Sequence, residues 1–163
     1  MKIIDGKGQL GSFLKAKWTD TDATIYHTWE VLDKSEKTQE KCFNDFLNYC
    51  SQHKNERIIF ISTDSDKPNP YVFYKRKAEK HANAVIRLPI LIGKGAFHKF
   101  RDENAVAWGI MEVITLADAA DEVINFAKSG SNDIYTVKGC PIPAKIVKEL
   151  ILIGKNAIQC TTK

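Results

Sequence analysis

Long hydrophobic runs are absent from this sequence, and none approaches the roughly eighteen apolar residues that would span a bilayer. Its four cysteines form no C-x-x-C pair and do not cluster with the four histidines, which disfavours a metal site. No repeat or low-complexity segment occurs. The net charge is only +4, without an aromatic-interleaved basic stripe, so nucleic-acid binding is disfavoured. We therefore expect a cytoplasmic protein with reduced thiols and no membrane span.

The apolar residues that are present alternate between strand-like and helix-like spacing. Hydrophobic residues make up 44% and charged residues 27% of the chain, values that are typical of one globular core. The predicted strands are Lys2–Asp5, Ala23–Thr28, Arg57–Ile61, Ala84–Ile92 and Asp133–Val137. The predicted helices are Ser12–Lys17, Ser35–His53, Tyr71–His81, Leu116–Lys128 and Pro143–Ile153. This order predicts a single α/β domain over residues 1–163 with a mostly parallel sheet of about four to five strands.

A glycine-rich turn follows the first predicted strand and precedes the first predicted helix. Its residues are Gly6, Lys7, Gly8, Gln9, Leu10 and Gly11. Glycines allow a tight turn and a close approach of the backbone to a pyrophosphate, which the amides at a helix N-terminus then bind. A purely structural strand-to-helix turn uses glycine as well, so this alternative stays open.

A second group of polar residues lies near the end of the predicted strand at Arg57–Ile61. Ser62 and Thr63 follow that strand, and Tyr71 and Lys75 come soon after with the spacing Y-x-x-x-K. Residues four apart share one face of a helix, and a lysine ammonium favours the ionised form of a neighbouring tyrosine. Tyr71 is therefore a candidate acid or base for a carbonyl/alcohol pair, and a hydroxyl from Thr63 or Ser62 a candidate oxygen ligand. With five tyrosines in a lysine-rich chain, a chance match is the alternative.

Together these segments resemble the extended short-chain dehydrogenases/reductases, in particular the dTDP-4-dehydrorhamnose reductase branch that modifies nucleotide sugars. The matching segments include the glycine turn, residues 26–36, the S-T-D at residues 62–64, the Tyr71/Lys75 pair and Arg87-Leu88-Pro89. The resemblance implies a Rossmann-like fold, an NADP or NAD cofactor, and reduction or epimerisation of a nucleotide keto-sugar. It implies Tyr71 as proton donor, Lys75 as its activator and a cofactor ligand, and Thr63 as a ligand of the substrate oxygen. Ser62, Arg87 and Arg101 are then predicted to bind the substrate.

The sequence also departs from that family. Only residues 12–22 separate the glycine turn from the next strand, so the second and third strands of a full dinucleotide fold are predicted to be missing. Residues 96–112 must replace a much longer substrate lobe and are predicted to be a vestigial substrate-binding segment. A non-catalytic descendant that binds a nucleotide or nucleotide sugar is therefore the alternative.

Self-association is predicted from the sheet. If every crossover is right-handed, successive helices lie on one face of the sheet, although the strands at Arg57–Ile61 and Ala84–Ile92 are apolar on both faces. A second copy of the chain would cover the other face, which predicts a homodimer. The alternative is a monomer in which the first predicted helix, together with the last, covers that face.

Overall fold

Five parallel strands form the main sheet, in the order β1-β2-β3-β4-β7. The computed structural model describes residues 1–4, 8–17, 20–92 and 109–149. The strands are β1 (Lys2–Ile4), β2 (Ala23–Tyr26), β3 (Arg57–Thr63), β4 (Ala84–Leu88), β5 (Ile90–Ile92), β6 (Ile110–Thr115), β7 (Ile134–Thr136) and β8 (Cys140–Pro143). The helices are α1 (Gln9–Ala16), α2 (Glu36–Gln52), α3 (Pro70–Glu79) and α4 (Leu116–Ser129), and residues 144–149 are also helical. The predicted α/β class with a parallel sheet is confirmed.

The helices begin at side chains that satisfy their first amides. The side chain of Ser35 accepts a hydrogen bond from the amide of Thr38 at the start of α2. Asn69 does the same for α3, where Pro70 occupies the first helical position, and Thr115 does so for α4. Within the described residues, no helix is both long and apolar enough to cross a membrane.

Both faces of the main sheet are covered by helices. Ile59 and Ile86 belong to a core that α1 and α4 cover, whereas Ile58 and Phe60 belong to a core that α2 and α3 cover. The crossovers β1-α1-β2 and β2-α2-β3 advance in the same direction, yet their helices lie on opposite faces. The two crossovers therefore have opposite hands. The crossovers through α2 and α3 share one hand, whereas the crossover through α1 and the longer connection from β4 through α4 to β7 share the other.

This arrangement corrects the premise behind the predicted dimer. The assumption that every helix lies on one face is wrong, because α1 packs beside α4 and covers the second face within one chain. The homodimer stays a prediction, without the uncovered face as its support.

A small second sheet, in the order β5-β6-β8, was not expected. The single strand predicted over 84–92 is wrong: Pro89 has no N–H to donate, and the strand divides there into β4 of the main sheet and β5 of the small one. Of the predicted vestigial segment, residues 96–108 lie outside the described residues. Residues 110–112 begin β6, which pairs parallel with β5 and antiparallel with β8.

Candidate functional site

A cleft of about 1080 Å³ lies at the carboxyl edge of the main sheet. Its wall is formed by the ends of β2, β3 and β4, the start of α1 and the start of α3. Of the predicted site residues, the cleft is lined by Gly8, Gln9, Leu10, Ser62, Thr63, Tyr71 and Lys75. Residues as far apart in sequence as Gly8 and Lys75 thus share one cleft, because parallel strands end at one edge of the sheet.

The first turn of α1 opens into this cleft. Gly8 is the N-cap in an extended conformation, and no side chain caps the first amides of the helix. The Oε1 atom of Gln9 is buried and has no hydrogen-bond partner in the part of the chain that the structure describes. Uncapped amides at a helix N-terminus are a binding site for an anion such as a phosphate. Of the other residues predicted in this turn, Gly6 and Lys7 lie outside the described residues, and Gly11 is buried in the helix.

Tyr71 and Lys75 lie together on α3, with the Lys75 Nζ atom 5.3 Å from the centroid of the Tyr71 ring. The Lys75 ammonium is also 5.6 Å from the Trp29 ring centroid and 5.4 Å from that of Phe60. It donates a hydrogen bond of 2.9 Å to the carbonyl oxygen of Ile61 in β3. Lys75 is therefore a buried cation that aromatic rings and one carbonyl hold against the end of the sheet.

Burial changes the protonation of the groups in the cleft. It lowers the pKa of Lys75 to about 7, against the opposing effect of the Glu79 carboxylate. It also raises the pKa of Tyr71 to about 12, so this phenol is protonated at neutral pH. Burial and the charge of Lys75 lower the pKa of His27 to about 4, and that imidazole is neutral. The cleft thus contains a protonated phenol able to donate a proton, beside an amine that titrates near neutrality.

Thr63 and Ser62 differ in what their hydroxyls do. The Thr63 hydroxyl oxygen accepts a 3.2 Å hydrogen bond from the amide of Ser65, which leaves its own proton free to donate to a ligand. The Ser62 hydroxyl donates to the Glu79 carboxylate at 2.6 Å. Thr63 is consequently better suited than Ser62 to hold a substrate oxygen.

Glu79 is the centre of a buried ionic cluster behind the cleft. Its side chain is 5% exposed and accepts hydrogen bonds from Arg76 at 2.7 Å and from Arg87 at 3.0 and 2.5 Å. Burial alone would raise the pKa of Glu79, but the hydrogen bonds from Arg87, Ser62 and Arg76 outweigh it and lower that pKa. Arg87, which was predicted to bind substrate, is not among the residues that line the cleft, and its guanidinium pairs with Glu79. Arg101 lies outside the described residues.

Replacing Glu79 by Gln is expected to lower the free energy of unfolding by about 2–3 kcal/mol, since charged hydrogen bonds are lost from a buried acceptor. The arginines are 27–29% exposed and stay partly hydrated, which limits the loss. Urea unfolding measures the change. Glu122, whose exposed contact is to the Tyr135 hydroxyl, provides the control: Glu122→Gln should change stability by less than about 0.5 kcal/mol. Equal effects of the two substitutions would contradict a structural role for the cluster.

One wall of the cleft depends on Gln39, which the sequence analysis did not identify. Gln39 is fully buried, accepts a hydrogen bond from the Trp29 indole and donates to the carbonyls of Glu30 and Asp33. These bonds fix the segment between β2 and α2, which carries His27 and Trp29 into the cleft. A polar glutamine on the apolar side of an amphipathic helix was the only signal in the sequence.

Comparison with known proteins finds matches among solved structures but none among family models or curated sequences. Among solved structures, a dTDP-4-dehydrorhamnose reductase from Clostridium acetobutylicum is similar with a TM-score of 0.72 and 13% identity, over 95% of this chain and 81% of that one. A hypothetical dTDP-4-dehydrorhamnose reductase from Sulfolobus tokodaii gives 0.58 and 19%, over 91% of this chain and 64% of that one.

A dTDP-4-dehydrorhamnose reductase from Bacillus anthracis, solved in complex with NADP, gives a TM-score of 0.62 and 17% identity, over 90% of this chain and 68% of that one. UDP-glucose 4-epimerases are also similar, one of them in complex with NAD. This chain spans 64% and 61% of the length of two of the similar structures. The predicted resemblance is confirmed at the level of the fold, which is that of these nucleotide-sugar reductases and epimerases.

Proposed function

We propose that this protein is an NAD(P)-dependent oxidoreductase that reduces or epimerises a nucleotide keto-sugar. The observation that carries the proposal is the position of Tyr71 and Lys75, which lie together in the cleft into which the uncapped start of α1 also opens. Solved proteins of the same fold were crystallised with NADP or NAD, and their names give dTDP- and UDP-sugar chemistry. A non-catalytic descendant is less favoured, because that role does not require the Tyr71/Lys75 pair.

The residues present are suited to bind the half of a dinucleotide that carries the pyrophosphate and the nicotinamide ribose. The uncapped amides of α1 and the unpartnered Oε1 atom of Gln9 suit a pyrophosphate and a neighbouring polar group. Gly8 and Leu10 would border the pyrophosphate, and Lys75 would contact the ribose beside the reacting carbon. When bound, the nicotinamide would supply the hydride that reduces a carbonyl carbon. The adenosine half has less support, because β1 is the edge of the described main sheet.

Proton transfer is the part that this chain's own side chains would perform. Tyr71 would donate its phenolic proton to the carbonyl oxygen of the sugar as negative charge develops there, and its high pKa keeps that proton in place at neutral pH. Thr63 would donate a hydrogen bond to the same oxygen and orient it. The Lys75 ammonium would stabilise the phenolate that Tyr71 becomes, since an opposite charge favours the ionised form.

Binding at the start of α1 can be tested with a single substitution. Gly8 has φ −76° and ψ 158°, a conformation that valine also adopts, so Gly8→Val adds a side chain without straining the backbone. We expect NADPH or NADH at millimolar concentration to raise the melting temperature of the parent protein but not of the variant. The unliganded melting temperatures serve as the control for folding.

Two outcomes would count against the proposal. If neither cofactor raises the melting temperature of the parent protein, dinucleotide binding is contradicted. If Gly8→Val responds as well as the parent, the glycine turn is only structural. A response to dTDP- or UDP-sugars without any response to dinucleotides would favour the non-catalytic alternative.

A further inference from the structure

Two lysines at the mouth of the cleft are not used by the proposed reaction. Lys34 follows β2 and Lys67 follows β3, and both line the cleft together with Tyr71. The Lys34 Nζ atom lies 5.0 Å from the centroid of the Tyr71 ring. Burial and the charge of Lys67 both lower the pKa of Lys34, so the two ammonium groups are close enough to repel each other.

Neither lysine has an ion-pair partner among the described residues, which are 1–4, 8–17, 20–92 and 109–149. Lys41 also lines the cleft, but its ammonium pairs with Asp45 at 3.1 Å. Two like charges that line one cleft without a paired carboxylate repel each other, and an anionic ligand would relieve this repulsion.

The backbone positions of both lysines are fixed by local hydrogen bonds. Lys34 is next to Asp33, whose carbonyl accepts from the buried Gln39 and whose carboxylate accepts from Ser35 and Thr38. Lys67 precedes Pro68, and its carbonyl accepts a 2.8 Å hydrogen bond from the amide of Asn69, the cap of α3. Both lysines therefore lie in segments whose backbone is held in place by hydrogen bonds, which lowers the entropy cost of binding a ligand there.

We infer that Lys34 and Lys67 form an anion subsite beside Tyr71, which binds a carboxylate or phosphate group of the substrate. The inference rests on the proposed function and names the part of the protein that would bind a negatively charged group of the nucleotide sugar. Two groups have this chemistry: a carboxylate on the sugar ring, as in a uronate, and the diphosphate that joins sugar and nucleoside. Asp64 and Glu112 line the same cleft and repel each other, which disfavours an anion at their part of it.

Isothermal titration of the full chain with UDP-glucuronate, UDP-glucose and UDP tests the subsite. We expect Lys34→Met and Lys67→Met each to weaken binding roughly tenfold, since each removes one charged contact. Lys41→Met is the matched control, because it removes a lysine of the same cleft that is already paired, and it should bind as the parent does. If only UDP-glucuronate loses affinity, the anion is the sugar carboxylate. If all three ligands lose affinity, it is the diphosphate.

Three results would overturn the subsite: parent-like binding by both Lys34→Met and Lys67→Met, an equal loss in Lys41→Met, or no binding of any of the three ligands to the parent. The NADPH-induced change in melting temperature, measured on the same four proteins, separates this failure from that of the proposed function. Suppose that NADPH raises the melting temperature of the parent, and that Lys34→Met and Lys67→Met bind the sugar nucleotides as the parent does. This result would contradict the subsite and leave the oxidoreductase proposal intact.

Discussion

Replacing Tyr71 by Phe is expected to reduce the rate of the proposed NADPH-dependent keto-sugar reduction by about 10²- to 10⁴-fold, the usual contribution of a positioned proton donor. The substitution removes only the phenolic hydroxyl. Within the described residues the Tyr71 hydroxyl has no hydrogen-bond partner, so the melting temperature should change little. Turnover of dTDP-4-dehydrorhamnose, the substrate in the names of the similar reductases, can be measured by the loss of NADPH absorbance.

Tyr74→Phe is the matched control for this experiment. Tyr74 lies on the same helix, but its hydroxyl donates to Glu36 at 2.7 Å and it does not line the cleft. We expect its turnover to equal that of the parent. A Tyr71→Phe protein that keeps full activity, or a Tyr74→Phe protein that loses as much, would contradict the role of Tyr71 as proton donor.

The second large effect is expected on stability, from replacing Lys75 by Met. The pKa of Lys75 falls from 10.5 in the unfolded chain to about 7 in the folded protein, chiefly because of burial. At about 1.4 kcal/mol per pKa unit, this corresponds to about 5 kcal/mol of burial cost. Glu79 and Cys42 raise the pKa, Arg76 lowers it, and His27 faces Lys75 as a neutral ring.

The sign of the pH dependence follows from proton counts. Below pH 7 the lysine is protonated in both states, and the folded state bears the full burial cost. Between pH 7 and 10.5 the unfolded state binds more protons than the folded state, so stability rises with pH. The advantage of Lys75→Met over the parent should be several kcal/mol at pH 6 and should shrink towards pH 10.

Urea unfolding of both proteins at a series of pH values measures this difference. Lys77→Met is the control, because Lys77 is an exposed lysine of the same helix and its removal relieves no burial cost. A constant difference between the parent and Lys75→Met across this range would show that Lys75 does not titrate near neutrality.

Much of the main sheet could be predicted from sequence because its signals are local. The β-branched run at Arg57–Ile61 indicates a doubly buried strand, and it forms the beginning of β3. The helix predicted to begin at Ser35 has Ser35 as its N-cap. One general rule, that parallel strands end at the same edge of a sheet, explains why Thr63, Tyr71 and Lys75 line one cleft.

The features that could not be predicted depend on contacts distant in sequence. Whether α1 lies above or below the sheet is decided by packing against α4, more than 100 residues away, and the handedness rule gave the wrong face. No strand was predicted over residues 110–115, where β6 pairs with the distant segments β5 and β8. Lys34 and Lys67 each look like ordinary surface lysines, and their convergence is visible only once β2 and β3 are adjacent.

The hand of the β1-α1-β2 crossover has a consequence for protein engineering. α1 lies on the face from which a connection with the hand of those through α2 and α3 would lead to a new strand beyond β1, on the side away from β2. A strand–helix–strand unit grafted into residues 20–22 could therefore extend the sheet at its free edge while α1 stays against α4. The connection after α1 is thus a suitable splice point for transplanting an adenosine-binding half from a full-length dinucleotide fold into this chain.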